Sequence, residues 1–208
     1  MEVNISDRKF KELIQIYEKM QYNQVLAVAA LALEREWFPF VEGLKESGFP
    51  DDVISELLQL AEQWMQLIWE RVKSGHFCQD NKKRFEEIRE RYSKVLDGLS
   101  EFGAELEGKS LYLDSALSSD SECFFNESEC DLECCADAVC GILDMIEDII
   151  VDSGVDKEQL TDVLNYHPMI IEELKRIDLD VELVQDYPQN MCEILKRREE
   201  YHKLNLYN

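Results

Sequence analysis

The side chains best suited to chemistry are concentrated between residues 114 and 162. This stretch holds 15 carboxylates and five of the chain's seven cysteines, and Lys157 is its only cation. Carboxylates can bind metal ions, transfer protons or attract cationic partners, and thiolates can bind zinc or act as nucleophiles. The stretch could therefore form a metal site, a catalytic centre or a charged binding surface.

A metal site is not predicted. The five cysteines are separated by six, three, zero and four residues, whereas zinc sites use closely spaced pairs or a nearby histidine. His167 is the nearest histidine. Asp144 and Asp148 could together bind Mg²⁺ or Ca²⁺, but no EF-hand loop accompanies them. The sequence predicts no metal and no other cofactor. The cysteines of the stretch are Cys123, Cys130, Cys134, Cys135 and Cys140.

A catalytic centre is not predicted either. His76, His167 and His202 belong to three separate segments, and none is paired in sequence with a plausible nucleophile. His76 and Cys78 lie two residues apart in a predicted loop, and His167 precedes Pro168, where it is expected to cap a helix. The chain contains no GxSxG, HExxH, P-loop or GxGxxG motif. We therefore expect no catalytic residues and no enzyme activity.

A charged binding surface fits the pattern best. Residues Asp131 to Ser153 are predicted to form a helix with carboxylates within about one third of its circumference and an apolar stripe opposite. The apolar stripe must pack into a core, so the acidic side faces water or a partner. The face is either simply solvated or a surface for a basic protein. The predicted partner-binding residues are Glu133, Asp137, Asp144, Asp148 and Asp152, with Glu127 and Glu129 of the preceding loop. The apolar stripe is Cys135, Val139, Ile142, Leu143, Ile146, Ile149 and Ile150.

The composition limits the classes of partner. A net charge of −23 repels nucleic-acid backbones and anionic membranes and favours basic proteins. The most apolar run, Val25 to Leu33, is too short for a membrane span of about 18 residues. The first residues contain no apolar stretch after a basic start, so no secretory signal is predicted. We expect a cytoplasmic protein with free thiols.

The periodicity predicts an all-α, single-domain bundle of about seven or eight helices over residues 1–208, with an acidic loop at about 114–130. Tyr22 to Trp37, rich in alanine, should be the central helix. Pro39 should break or restart that helix, and Phe124-Phe125 should anchor the acidic loop. Residues 177–184 fit either a short helix or a strand. The other predicted helices run from Ser6 to about Met20, from Pro50 to about Lys73, from Lys82 to Leu99, from Asp156 to Asn165, from Pro168, and from Pro188 to Lys203.

Two further groups have simpler structural explanations. The aromatic residues Trp37, Phe38, Phe40, Trp64 and Trp69 could line a ligand pocket, but helical core packing accounts for most of them. Basic residues near the C-terminus neighbour acids, and should form a network of i,i+4 pairs or neutralise part of the acidic surface internally. They do not indicate nucleic-acid binding. These basic residues are Lys196, Arg197, Arg198 and Lys203, with Glu193, Glu199 and Glu200 between them.

Three segments resemble an uncharacterised bacterial all-helical family of about this length. Gln24–Trp69 resembles the family's opening helix pair, with Ala32-Leu33-Glu34-Arg35 in place of its "ALCER" run and Ser47–Asp51 in place of its "TGFGD" turn. The segments SALSSDSECFF with ADAVCGILDMI, and LNYHPMIIEELKRIDLDVELV, resemble two later ones. The acidic loop here is longer and the following helix has more cysteines. The resemblance implies an all-helical single domain and little about function, because the family has no established activity or catalytic motif.

In size, helicity and acidity the chain also resembles the immunity proteins that accompany bacterial toxin genes. This likeness leads to the first hypothesis: a cytoplasmic immunity protein that binds a basic toxin domain, expected to be a nuclease, and occludes its active site. The alternative hypothesis is a housekeeping helical protein whose acidity serves solubility or self-association. An enzyme with an acidic metal site is a third hypothesis, which metal analysis would test.

Overall fold

The computed structural model describes residues 4–101, 113–114, 124–125, 132–155 and 160–204. This part of the chain forms eight α-helices and no β-strand, which confirms the all-α prediction. A 3₁₀ turn, Val184–Asp186, links the last two helices. The helices are α1 (Ile5–Tyr17), α2 (Tyr22–Glu46), α3 (Asp51–Ser74), α4 (Gln79–Glu101), α5 (Leu132–Asp152), α6 (Leu160–Tyr166), α7 (Pro168–Leu183) and α8 (Met191–Tyr201).

Helix α2 is the centre of the bundle, as its composition predicts. Every residue from Gln24 to Glu36 is buried, and α2 packs against α3, α5, α7 and α8. Four alanines in this run keep the helix surface narrow, which lets neighbouring backbones approach closely. A helix that is buried on all sides in this way carries its polar residues into the core as well. The alanines are Ala27, Ala29, Ala30 and Ala32.

Pro39 does not interrupt α2, so the predicted break is wrong. The helix continues without a break to Glu46. A proline inside a helix costs about 3 kcal/mol because it removes a hydrogen bond and crowds the preceding turn. Here Pro39 itself, Phe40, Gly43 and Leu44 are all buried, and this apolar burial offsets that cost. Tertiary packing therefore overrides the local preference.

Two predicted helix starts can be checked against their caps. His167 caps α7 as expected, because its side chain accepts from the Met169 N–H and Pro168 occupies the first turn. Helix α1 was predicted to start at Ser6, but its N-cap is Asn4, whose Oδ1 accepts from the Ser6 N–H at 3.0 Å. Asparagine is at least as good an N-cap as serine, so the helix starts earlier and Ser6 lies in its first turn.

Phe124 and Phe125, the predicted anchor of the acidic loop, are described, while most of the rest of that loop lies outside the described residues. Both rings are buried, and Phe125 stacks on Phe85 of α4 with ring centroids 4.3 Å apart. Residues 177–184 fall within α7 and its 3₁₀ extension, so the helix alternative is the correct one. Trp64, Trp69 and Phe40 are buried in the core, as the packing explanation of the aromatic residues requires.

Substitution of Gly75 by alanine should destabilise the fold, and Gly48 provides a matched control. Both glycines have positive φ, at +67° and +75°, but only at Gly75 would an added Cβ meet neighbours, the side chains of Asn23 and Tyr187 at 3.3 Å. Gly48→Ala should lower the free energy of unfolding by about 1 kcal/mol, from the backbone alone. Gly75→Ala should lower it further, as measured by urea denaturation. Equal losses of stability in the two variants would show that the Asn23 and Tyr187 side chains move aside for the added Cβ at no cost.

Candidate functional site

Helix α5 has the orientation that its sequence predicts. Its five predicted binding carboxylates are all exposed, and the side chains opposite are buried or half-buried. No lysine, arginine or histidine occurs between Leu132 and Asp152. We call these five residues the acidic face: Glu133, Asp137, Asp144, Asp148 and Asp152. Glu127 and Glu129, the other two predicted binding residues, lie outside the described residues.

The first turn of α1 runs beside the acidic face and extends it. Helix α5 packs against α1, α2, α6 and α7. The Ser6 side chain lowers the pKa of Asp144, and the charge of Asp7 raises the pKa of both Asp144 and Glu147. Sequence patterns on α5 alone could not reveal Asp7, because it comes from a helix more than a hundred residues away.

The carboxylates where the first turn of α1 meets α5 repel one another. Partial burial raises the pKa of Asp144, the Ser6 hydrogen bond opposes this rise, and the charges of Asp148, Asp7 and Asp137 add to it. For Glu147, partial burial first and then Asp144 raise the pKa to about 7. Asn4 opposes this rise by a hydrogen bond. A basic partner would relieve this repulsion.

The neighbouring cations of α1 are engaged elsewhere. Lys9 is buried and its Nζ contacts the carboxylates of Glu12 at 3.0 Å and Asp178 at 2.6 Å. The Arg8 guanidinium donates to the side chain of Asn165 at 3.4 Å. These contacts join α1 to α6 and α7. They also direct the two cations toward acceptors outside α5.

A second cluster of charges lies in the core, and the sequence did not predict it. Arg35 of α2 is fully buried between two carboxylates of α7. Its Nε lies 2.7 Å from the Glu173 carboxylate, and its Nη1 contacts the Asp180 carboxylate. The Tyr201 hydroxyl of α8 donates to Asp180 at 2.9 Å, and the Arg35 guanidinium lies 4.7 Å from the centre of the Tyr201 ring. One cation thus joins three helices.

The adjacent residue, Glu34, also has a fully buried carboxylate, which has its own set of partners. Trp69 of α3 donates its indole N–H to Glu34 at 2.6 Å, and Arg198 of α8 donates its Nε–H at 2.8 Å. His202 Nδ1 lies 2.7 Å from the other oxygen, and its ring stacks on Trp37 at 5.2 Å. Arg198 therefore pairs with a buried acid of the core, which is neither of the two roles predicted for the C-terminal basic residues.

Burial and neighbouring charges together shift the pKa values of Asp180 and Arg35. Burial raises the pKa of Asp180, and Arg35 and the Tyr201 hydroxyl oppose that rise. Burial alone would lower the pKa of Arg35, but Glu173 and Asp180 outweigh it and raise the pKa above its ordinary value. Arg176 adds a second cation 3.4 Å from Glu173. The cluster is thus an ion-paired connection between α2, α7 and α8.

Other candidate sites receive less support. Cys134 is half-buried and Cys135 and Cys140 are buried, while Cys123 and Cys130 lie outside the described residues. Within the described part of the chain, no three His, Cys, Asp or Glu side chains are arranged to hold a metal ion. A groove between α3 and α4 is lined by Gln63, Gln66, Arg84, Glu87, Ile88 and Arg91. Arg84 there is already paired with Glu70 at 3.0 Å.

Among the described residues, no helix combines the length and the apolar character needed to span a bilayer. Comparison of the chain with protein-family models, with curated proteins and with solved structures finds no match in any of the three. The resemblance to the uncharacterised helical family therefore stays a prediction.

Proposed function

We propose that the chain binds a basic protein through the acidic face of α5, and that this partner is a bacterial toxin domain, a nuclease, whose active site the face covers. The observation that carries the proposal is the exposure of five carboxylates on a helix that contains no cation. Asp7 and Glu147 add negative charge at the edge of the same surface.

The spacing of the carboxylates is unfavourable for the isolated helix. Asp144 and Asp148, and Asp148 and Asp152, are like charges at i,i+4, which cost about 0.2–0.5 kcal/mol per pair. A lysine at one of these positions would turn the repulsion into attraction. A surface that keeps this repulsion is suited to a partner whose cations remove it on binding.

A nuclease domain fits this surface for a chemical reason. Its active surface binds phosphate groups through lysine and arginine, and carboxylates can occupy those positions as alternative anions. The net charge of −23 would also attract a cationic domain from a distance and raise the rate of association. Inhibition would then result from steric occlusion of the active site.

The test compares the wild-type chain with the charge-reversal variant Asp144→Lys/Asp148→Lys. Tagged protein is used to capture partners from the native cell at low salt, and the captured domain is purified. The reversal should slow its association at least about tenfold at low salt, because electrostatic steering contributes factors of this size. Stopped-flow mixing at two salt concentrations measures the effect. The captured domain should cleave nucleic acid, and wild-type chain should block the cleavage.

The control for net charge is Glu62→Lys/Glu86→Lys. It changes the total charge by the same amount at exposed positions of α3 and α4, away from α5. This variant should associate at close to the wild-type rate. If the Asp144/Asp148 reversal changes neither affinity nor salt dependence, α5 is not the interface and its acidity serves solubility.

A further inference from the structure

The buried carboxylate of Glu34 lies beside an indole ring, and a guanidinium of α8 occupies the space between them. The Trp69 N–H donates to Glu34 Oε1 at 2.6 Å. Arg198 donates its Nε–H to the same oxygen at 2.8 Å, and its guanidinium carbon lies 5.1 Å from the centre of the Trp69 ring. A carboxylate next to an aromatic face is the combination that recognises a planar guanidinium.

A second indole flanks the same carboxylate. His202, the C-cap residue of α8, places its Nδ1 2.7 Å from Glu34 Oε2, and its ring stacks on Trp37 with centroids 5.2 Å apart. Both oxygens of Glu34 and one face of each indole are thus contacted by side chains from α8 or its cap. We call Glu34, Trp37 and Trp69 the indole–carboxylate site.

Helix α8 is held over this site chiefly by polar contacts. Among its eleven residues only Ile194 and Tyr201 are buried, and no side chain caps its N-terminus. The side chains of Arg198 and His202 remain 29% and 38% exposed although they contact a fully buried acid. A segment with so little apolar burial and with partly solvated contacts opens at a lower free energy than the core beneath it.

We propose that the indole–carboxylate site binds guanidinium groups, that Arg198 is its internal ligand, and that an arginine side chain of another molecule can displace α8 and take the place of Arg198. Arginine is required because its planar group can pair with Glu34 while it lies on the Trp69 ring, which a lysine ammonium does not do as well. An acid in this position without a cation is costly, so the opened form favours binding of a second cation. The inference does not depend on the acidic face.

The first test removes the internal ligand. Arg198→Ala should speed amide hydrogen exchange in α8, measured by mass spectrometry, and millimolar ethylguanidinium should slow it again about two- to fivefold, the size of a cation–π contact. Ethylammonium should have no such effect. The control Arg197→Ala removes a guanidinium that contacts Glu200 and Tyr201, and should create no response to ethylguanidinium. Adding Glu34→Gln to Arg198→Ala should abolish the response. If the two probes act alike on Arg198→Ala, the site does not select a guanidinium and the proposal fails.

The second test uses the wild-type chain and therefore needs no variant to fold. At low salt a hexa-arginine peptide should raise the exchange rate of the α8 amides two- to fivefold above that with a hexa-lysine peptide of equal charge. The acidic face would attract both peptides, so only the difference between them reports on Glu34. The variant Asp144→Lys/Asp148→Lys should keep this difference, which separates the site from the proposed function. Equal exchange of α8 with the two peptides in wild type would overturn the proposal, whatever the result at α5.

Discussion

Replacing Arg35 by methionine should lower the free energy of unfolding by about 3–5 kcal/mol, because it leaves buried carboxylates without their cation. Glu173 and Asp180 are both fully buried. Arg176 remains 3.4 Å from Glu173, so Asp180 is the acid that loses most of its compensating positive charge. Methionine has a similar length and fills much of the space, so the loss reports charge more than volume. Urea denaturation followed by circular dichroism measures it.

Two comparisons show whether the loss comes from the uncompensated charges. In the variant Arg35→Met/Glu173→Leu/Asp180→Leu the carboxylates are removed together with their cation, and at least half of the lost stability should return, since buried ion pairs are often replaceable by apolar groups. Arg91→Met, which breaks an exposed contact with Glu56 at 3.7 Å, should cost less than about 1 kcal/mol. A similar loss in the single and triple variants would mean that packing, not charge, explains the effect.

The orientation of α5 could be predicted from sequence because one helix contains the whole signal. Its apolar stripe recurs at helical spacing, so burial of Ile142 and Ile146 fixes exposure of Asp144 and Asp148. The supporting carboxylate Glu147 was missed because it lies between the two faces. Asp7 was missed because the pattern on one helix does not show which other helix packs beside it.

The buried ionic cluster could not be predicted for a related reason. Glu34 and Arg35 follow an apolar run, and charged residues at that point usually mark a helix leaving the core. Their partners, Asp180 and Arg198, lie 145 and 164 residues away in the chain. One local signal was present: a helix that is apolar on every side is buried on every side, so the next turn of α2 could be expected in the core too. Burial of the helix also explains why α2 continues through Pro39.

The fold should be less stable at pH 8 than at pH 5, because the carboxylates of Asp144 and Glu147 hold protons more tightly in the folded state. Burial and neighbouring carboxylates raise the pKa of Glu147 to about 7, and burial also raises the pKa of Asp144. Between the unfolded and folded pKa values the native state binds more protons, so stability falls as pH rises through that window. With allowance for solvent screening, the total fall should be about 2 kcal/mol.

Glu147→Gln identifies the source of this dependence. The amide cannot ionise, so the variant should match wild type near pH 5 and exceed it by about 1 kcal/mol at pH 8, as measured by urea denaturation across the range. Glu62→Gln, at an exposed position of α3, should leave the slope unchanged. A Glu147→Gln profile parallel to wild type would contradict the assignment. The same repulsion that lowers stability above pH 7 is what a cationic partner would remove, so binding and stability should both respond to Glu147.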